Sequence, residues 1–344
     1  MWTKARILLL ILLAVLSVLP AAGCKSKEQR SSHGGLAPPG KIKIGFIVKQ
    51  PDEAWFVNEQ KFAQRCADKY GFEVVPVAAT DGEKILAVLD NLGAQGAQGV
   101  IIATPDVRLG PAIVARAKAN NLKLFTVDDQ FVGADGQFMD VPYMGISATA
   151  IGTKVGQALA AEFKKRGWPV EETAAVAITF DHVNTCRQRT DAAVAALAKA
   201  GFPAERIYRE PSKQGDVPSA MDAGNILLTK HPEVKRWLVF SSNDEGVLGV
   251  VRALESSGRG FTHENVLGIG IGGSTCAAEF KKPNLTGFYA TCLISPKRHG
   301  YETTEYVYKW IKDGVAPPKY TLTEGILVTR ETFERVCKEE GLTD

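Results

Sequence analysis

From Ile42 onward, short apolar runs alternate with segments whose apolar residues recur every three or four positions. The runs Ile42–Val48, Glu73–Val77, Val100–Ala103, Leu122–Val127, Ala174–Thr179, Arg236–Ser241, Val266–Ile269 and Thr286–Thr291 predict strands. Between the first two, Phe62, Ala63, Cys66, Ala67 and Tyr70 lie on one helical face, and Gly71 supplies the stop. Alternation of this kind predicts an α/β fold with parallel sheets flanked by helices. A faint internal echo accompanies it. A helix closing on Gly71-Phe72, a strand, the loop Thr80-Asp81-Gly82, a helix and the strand Val100–Ala103 are followed later by the same plan. The second copy runs from Gly201-Phe202 through Gln214-Gly215-Asp216 to Arg236–Ser241, Asn243 and Asp244. Two copies of one plan predict two similar lobes with a cleft between them. About 300 residues remain after the amino-terminal segment, which suits two cores better than one.

That amino-terminal segment breaks the alternation. Lys4 and Arg6 precede an unbroken apolar run from Ile7 to Leu19, and Pro20-Ala21-Ala22-Gly23-Cys24 follows. A basic start, a short apolar stretch and small residues predict an export signal over residues 1–23. The run is short for a bilayer span. The cysteine after Ala-Gly resembles a bacterial lipobox, which implies acylation of Cys24, although Ala21 stands where Leu, Val or Ile is usual. Residues 24–40 are polar and rich in Ser, Gly and Pro, and predict a tether.

Lys4 and Arg6 account for two of the 41 basic residues, leaving 39 against 38 acidic ones. No basic stripe remains for nucleic acid. Cys66, Cys186, Cys276, Cys292 and Cys337 are scattered without C-x-x-C spacing, which argues against a disulfide framework and zinc, although Cys276 and Cys292 could pair. The five histidines are dispersed as well, and no metal or cofactor site is expected.

Candidate chemistry collects just beyond predicted strands, where open α/β sheets bind ligands. The first strand runs into Lys49, Glu53, Trp55 and Phe56. Two aromatic faces beside a strong donor and a strong acceptor suit a pyranose, with its apolar C–H face and rim of hydroxyls. The competing reading packs the aromatic pair into the core. Strand Leu122–Val127 ends in Asp128-Asp129; neighbours on a strand point to opposite sides, so one carboxylate is expected to meet a ligand and the other to hold the tip. Thr185 and Arg189 are four apart and share a helical face after strand Ala174–Thr179, whereas Arg187 points elsewhere. Asn243 follows strand Arg236–Ser241 and can donate and accept, or simply cap a helix. Gly268-Ile269-Gly270-Ile271-Gly272-Gly273 matches G-x-G-x-x-G, but no ribose-binding carboxylate lies about 20 residues on. These glycines are expected to permit close backbone approach at a lobe interface.

The stretches GFIVKQPDEAWF, GFEVVPVAATDGEK, TPDVRLGPAIVA, VDDQFV, KKRGW, AGFPAERIY, HPEVKRWLVF, NDEGVLGVVRA and TGFYA resemble the bacterial L-arabinose-binding proteins of the type I periplasmic binding family, from Lys41 to about Leu342. The resemblance implies two Rossmann-like lobes joined by three crossings: residues 41–147 plus 293–323, and 148–292 plus 324–344. It implies that Lys49, Glu53, Trp55, Phe56, Asp128, Asp129 and Ile146 line one side of a sugar site, and Val183, Thr185, Arg189, Asn243 and Gly272 the other. It also implies a monomer that hands a monosaccharide to an ABC permease with a cytoplasmic ATPase, touches the membrane only through lipid, and is no enzyme. Three positions depart from the family pattern: Ile146 replaces a methionine, Gly272 an asparagine that helps hold the 4-hydroxyl, and Thr275 an aspartate. A water, the Ser274 hydroxyl or a different epimer is expected to fill the gap at Gly272. As a rival, a glycoside hydrolase needs two carboxylates about 5–10 Å apart, one with a raised pKa. Lys49 and Arg189 are expected to keep Glu53 and Asp129 ionised and deny it the acid.

Overall fold

The computed structural model describes residues 41–273 and 275–343, so the expected signal peptide, tether, Cys24 and Ser274 lie outside the described residues. Ten helices and twelve strands alternate among them. In chain order they begin β1 (Lys43–Val48), α1 (Ala54–Tyr70), β2 (Glu73–Ala78), α2 (Gly82–Ala94), β3 (Gly99–Ile102), α3 (Gly110–Ala119), β4 (Lys123–Val127) and β5 (Tyr143–Ile146). The second half gives α4 (Ala148–Arg166), β6 (Thr173–Thr179), α5 (Asn184–Lys199), β7 (Ile207–Pro211), α6 (Val217–Lys230), β8 (Arg236–Ser241), α7 (Asp244–Ser256), β9 (Val266–Gly272), α8 (Cys276–Phe280) and β10 (Phe288–Leu293). The chain closes with α9 (Thr303–Asp313), β11 (Tyr320–Thr323), β12 (Ile326–Thr329) and α10 (Arg330–Glu339).

The strands form two six-stranded sheets, ordered β11-β5-β4-β3-β1-β2 and β12-β10-β9-β8-β6-β7. Numbered within each half, the five main strands run 5-4-3-1-2 in both, so the echo seen in the sequence is a repeated topology. All pairings are parallel except β12 on β10. The chain passes from the first sheet to the second after β5, returns after β10, where α9 packs on β3 and β4, and crosses again through Glu324-Gly325.

Period-two alternation explains the layering. Ile44, Phe46 and Val48 bury against α1, while Ile47 between them buries against Ile85 and Leu89 of α2 on the opposite face. The second sheet is sandwiched likewise, with Trp237 and Val239 on one side and Leu238 and Phe240 on the other. Small residues let the second lobe close up where it matters for the site. A Cβ on Gly152 of α4 would stand 2.0 Å from the Arg189 carbonyl oxygen, and one on Gly156 would stand 2.3 Å from that of Ala193. Thus α4 and α5 lie backbone to backbone, and Arg189 is held from behind.

The glycine run Gly268–Gly273 serves a different contact from the one expected. A Cβ on Gly268 would meet Val247 at 2.6 Å, and one on Gly270 would meet Asp244 at 2.4 Å, so the glycines bring β9 against α7 inside one lobe. The buried Asp244 carboxylate accepts from Thr291 Oγ1 (2.6 Å), Gly273 N (2.9 Å) and Cys276 N (3.2 Å), tying α7 to the strand ends. The cysteines among the described residues are free, Cys276 and Cys292 included.

Candidate functional site

Every expected site residue except Asp129 lines one cavity of about 1140 Å³ at the carboxyl ends of both sheets. It opens beside the β1–β3 and β6–β8 pairs, where each strand order reverses, as open α/β sheets favour. Lys49 leaves the end of β1, and α1 begins one residue past Glu53, which serves as its cap. Arg189 and Thr185 come from α5, Val183 caps that helix, and Asn243 caps α7.

The two aromatics part company. Phe56 is 4 % exposed and belongs to the first lobe's core, with the Lys49 ammonium 5.7 Å from its ring. Trp55 is half-buried, lines the cavity and packs against apolar clusters of both lobes. Its Nε1–H donates to Asp128 Oδ2 (3.1 Å), and its ring meets His299 edge to face at 5.1 Å. The indole is therefore held in orientation at the cavity wall.

Asp128 and Asp129 do not follow strand alternation, because β4 ends at Val127 and Asp128 turns left-handed (φ 64°). Asp128 binds Trp55 and accepts from His299 Nδ1 (2.7 Å). Burial presses its pKa upward, but the hydrogen bond and charge of His299 and the indole N–H bring it below the ordinary value. Asp129 stands outside the cavity wall and pairs with Lys49 at 2.5 Å. Here burial outweighs Lys49 and lifts the carboxyl, contrary to the expectation that its cationic neighbour holds it down. Lys49 thus presents itself to the cavity with a carboxylate already behind it.

Across the cavity, Arg189 Nη1 donates to the Ser242 carbonyl (2.9 Å), whereas its Nε–H is buried without a partner among the described residues. Burial lowers its pKa. Arg189 still lines the cavity, so the guanidinium donors outside these two are the ones left for a polar ligand. Asn243 is partly spent, its Oδ1 accepting from Gly246 N (3.0 Å) and its Nδ2 donating to the Gly215 carbonyl (2.7 Å). Ile146 and Gly272 also stand in the wall.

Two residues escaped the sequence reading. His299 is fully buried on a π-helical turn, Arg298–Glu302, joining Asp128 to Thr323 Oγ1 (2.8 Å) at the end of β11. Glu59 is fully buried in α1, with its Oε1 3.6 Å from His299 Nδ1. Its position is legible in retrospect, since it lies one turn before Phe62 and Ala63 on the same apolar face. His299 carried no such signal. These two and Asp128 cluster within 4.8 Å, a spacing that could admit a metal ion. Asp128, His299 and Thr323 are already linked by hydrogen bonds and read better as a support for Trp55, beside which both Glu59 oxygens lie buried without a hydrogen-bond partner among the described residues.

Burial, then the negative charge of Asp128, drives the Glu59 pKa well above its ordinary value of 4.5. A carboxyl whose pKa rises on folding favours the folded state below its unfolded pKa, and that contribution is lost as pH climbs through the folded value. Glu59→Gln, a neutral isostere, is therefore expected to raise the melting temperature at pH 8 and leave it nearly unchanged at pH 4. Thermal melts followed by circular dichroism check this, and a lower melting temperature at pH 8 would refute it.

Two lobes of one topology, three crossings and a polar-aromatic cavity drawn from both define a two-lobed solute-binding protein. The chain belongs to the family of periplasmic binding proteins and sugar binding domains of the LacI family, whose pattern matches residues 41–335. It is 48% identical over 303 residues to the L-arabinose-binding periplasmic protein of Escherichia coli K12, covering 88% of this chain and 92% of that one. It is 46% identical over 312 residues to the ABC transporter L-arabinose-binding periplasmic protein of Azospirillum brasilense, covering 90% and 93%. In fold it is similar to the periplasmic ribose ABC transporter structure from Conexibacter woesei (TM-score 0.70, 18% identity, 87% and 95% covered). It is also similar to the solute-binding protein of Actinobacillus succinogenes with bound D-allose (TM-score 0.68, 20% identity, 86% and 100% covered). Among the described residues no helix is long and apolar enough to cross a membrane.

Proposed function

We propose that this protein captures a monosaccharide, most readily L-arabinose, between its lobes and delivers it to an ABC importer. The observation that carries the reading is the meeting of Lys49, Glu53 and Trp55 from one lobe with Thr185, Arg189 and Asn243 from the other in a single cavity. The indole stacks on the sugar's C–H face while the charged groups bond its hydroxyls. Relatives nearly half identical over most of their length, named for L-arabinose binding, support the choice of sugar. Because a sugar reaches both lobes only when they approach, its differential affinity draws the pair shut. The protein acts by binding. The carboxyls whose pKa is raised near the cavity are already engaged or sealed away: Glu59 lies in the core, Asp129 is paired with Lys49, and Asp244 in the cavity wall is held by Thr291 and the Gly273 and Cys276 N–H groups.

Ile146, Gly272 and Thr275 favour a second reading, in which the ligand is D-galactose, D-fucose or another aldose, and the protein serves sensing or chemotaxis. The expected lipid at Cys24 would hold the exported chain on the outer face of the cell membrane or in the periplasm, as a monomer on its tether. No cofactor or metal is called for. Calorimetric titration of the full chain in detergent with L-arabinose, D-galactose, D-fucose, D-xylose and D-ribose tests the function. Micromolar or tighter binding is expected for at least one of the first three, and failure of all five to bind would dismiss a sugar receptor.

A further inference from the structure

Beside Asn243, the second lobe's wall has a corner whose polar groups are nearly all committed. Both carboxylate oxygens of Asp244 are taken, by Thr291 and by the Gly273 and Cys276 backbone N–H groups. Asn243 has spent its carbonyl on Gly246 and one amide hydrogen on Gly215. Gly272, next to them, carries no side chain and sits at φ 127°, a conformation that L side chains rarely adopt. The corner is therefore bare by backbone geometry, and a neighbour must meet any hydroxyl placed there.

Glu245 is that neighbour. It lies in the first turn of α7, is half-buried and lines the cavity together with Asn243 and Gly272. The Thr275 hydroxyl donates to its Oε1 and steadies the carboxylate from behind. No hydrogen bond to its Oε2 is seen among the described residues, and Glu245 is not among their buried unpartnered groups, so this oxygen stays open to a ligand. We infer that Glu245, positioned by Thr275, is a specificity-determining residue that accepts a hydrogen bond from a pyranose hydroxyl over the bare Gly272 corner. Arg189 and Asn243 face a ligand there as donors; Glu245 adds an ionisable acceptor, so a hydroxyl at this corner is bonded as a donor. The site thereby selects aldoses that present a hydroxyl at this point over epimers and deoxy sugars that do not, because a ligand that covers the carboxylate and strips its water without matching it binds at a cost.

This inference rests on the sugar-binding reading, and the test separates the two. Wild-type full chain, Glu245→Gln and Thr275→Val are titrated by calorimetry with the preferred aldose and its monodeoxy analogues, after circular dichroism has shown each variant folded. The glutamine keeps the shape and the Thr275 contact but removes the charge-assisted acceptor. Roughly tenfold weaker binding is expected for Glu245→Gln and at least threefold for Thr275→Val. One deoxy analogue should bind wild type and Glu245→Gln equally, locating the hydroxyl. If wild type binds an aldose while both variants stay within twofold of it, the assignment of Glu245 is overturned and the sugar reading stands. If every deoxy analogue loses the same factor in Glu245→Gln as in wild type, Glu245 touches no particular hydroxyl and the assignment fails. If wild type binds no aldose, both readings fall.

Discussion

Arg189→Leu is expected to weaken sugar binding by roughly 2 kcal/mol or more, about thirtyfold. Gly152 and Gly156 bring α4 against the backbone of α5, so the residue has little freedom to withdraw. Its Nη1 is bound to the Ser242 carbonyl, and its Nε–H is desolvated without a partner. The guanidinium donors not spent on Ser242 and not sealed in with Nε remain for ligand hydroxyls, and a central arginine carries more binding energy than its neighbours. Arg189→Lys should recover only part of the loss, since an ammonium cannot reproduce the planar fork. Calorimetry with L-arabinose reads both variants, and melting temperatures confirm folding. Wild-type affinity in Arg189→Leu would show that the second lobe's contribution has been misplaced.

Trp55→Ala is expected to cost a similar amount, about 2 kcal/mol or more, through loss of the stacking face. Trp55→Phe divides the residue's two parts. Phenylalanine keeps an aromatic face but cannot donate to Asp128, so it should bind with intermediate affinity if the 3.1 Å bond orients the ring. Equal affinity for tryptophan and phenylalanine would reduce the Asp128 contact to a packing detail. Equal affinity for tryptophan and alanine would remove the aromatic platform from the site.

Much of this arrangement is readable from the chain, and the exceptions have physical causes. Strands β1, β3, β4, β6, β8, β9 and β10 sit inside sheets, buried on both faces, so their apolar runs announce them. Strands β5, β11 and β12 were not foreseen. Each has only four residues, and β11 and β12 lie at sheet edges with exposed positions such as Tyr320, Leu322, Ile326 and Leu327. The residues at strand ends were found because sheet topology dictates where they stand. For Asp128 and Asp129 the two different settings do not come from strand alternation, because β4 ends at Val127 and the chain turns left-handed at Asp128. Glu59 and His299 were overlooked for a different reason. Their importance comes from ionisable side chains buried far from their sequence neighbours, and only the fold brings α1, the turn after β10 and the end of β11 together.

The three passages of chain between the lobes constrain more than connectivity. One link is only Glu324-Gly325, and a Cβ on Gly325 would press within 2.4 Å of Cys292 Sγ at the end of β10. The three passages lie against one another, Ser147 N donating to the Thr323 carbonyl at 2.9 Å, so any closing of the halves is expected to be a swing about this seam. For a protein that binds as proposed, the mouth opposite this seam is then the expected way in and out, and whatever covers it is expected to govern when the cargo leaves.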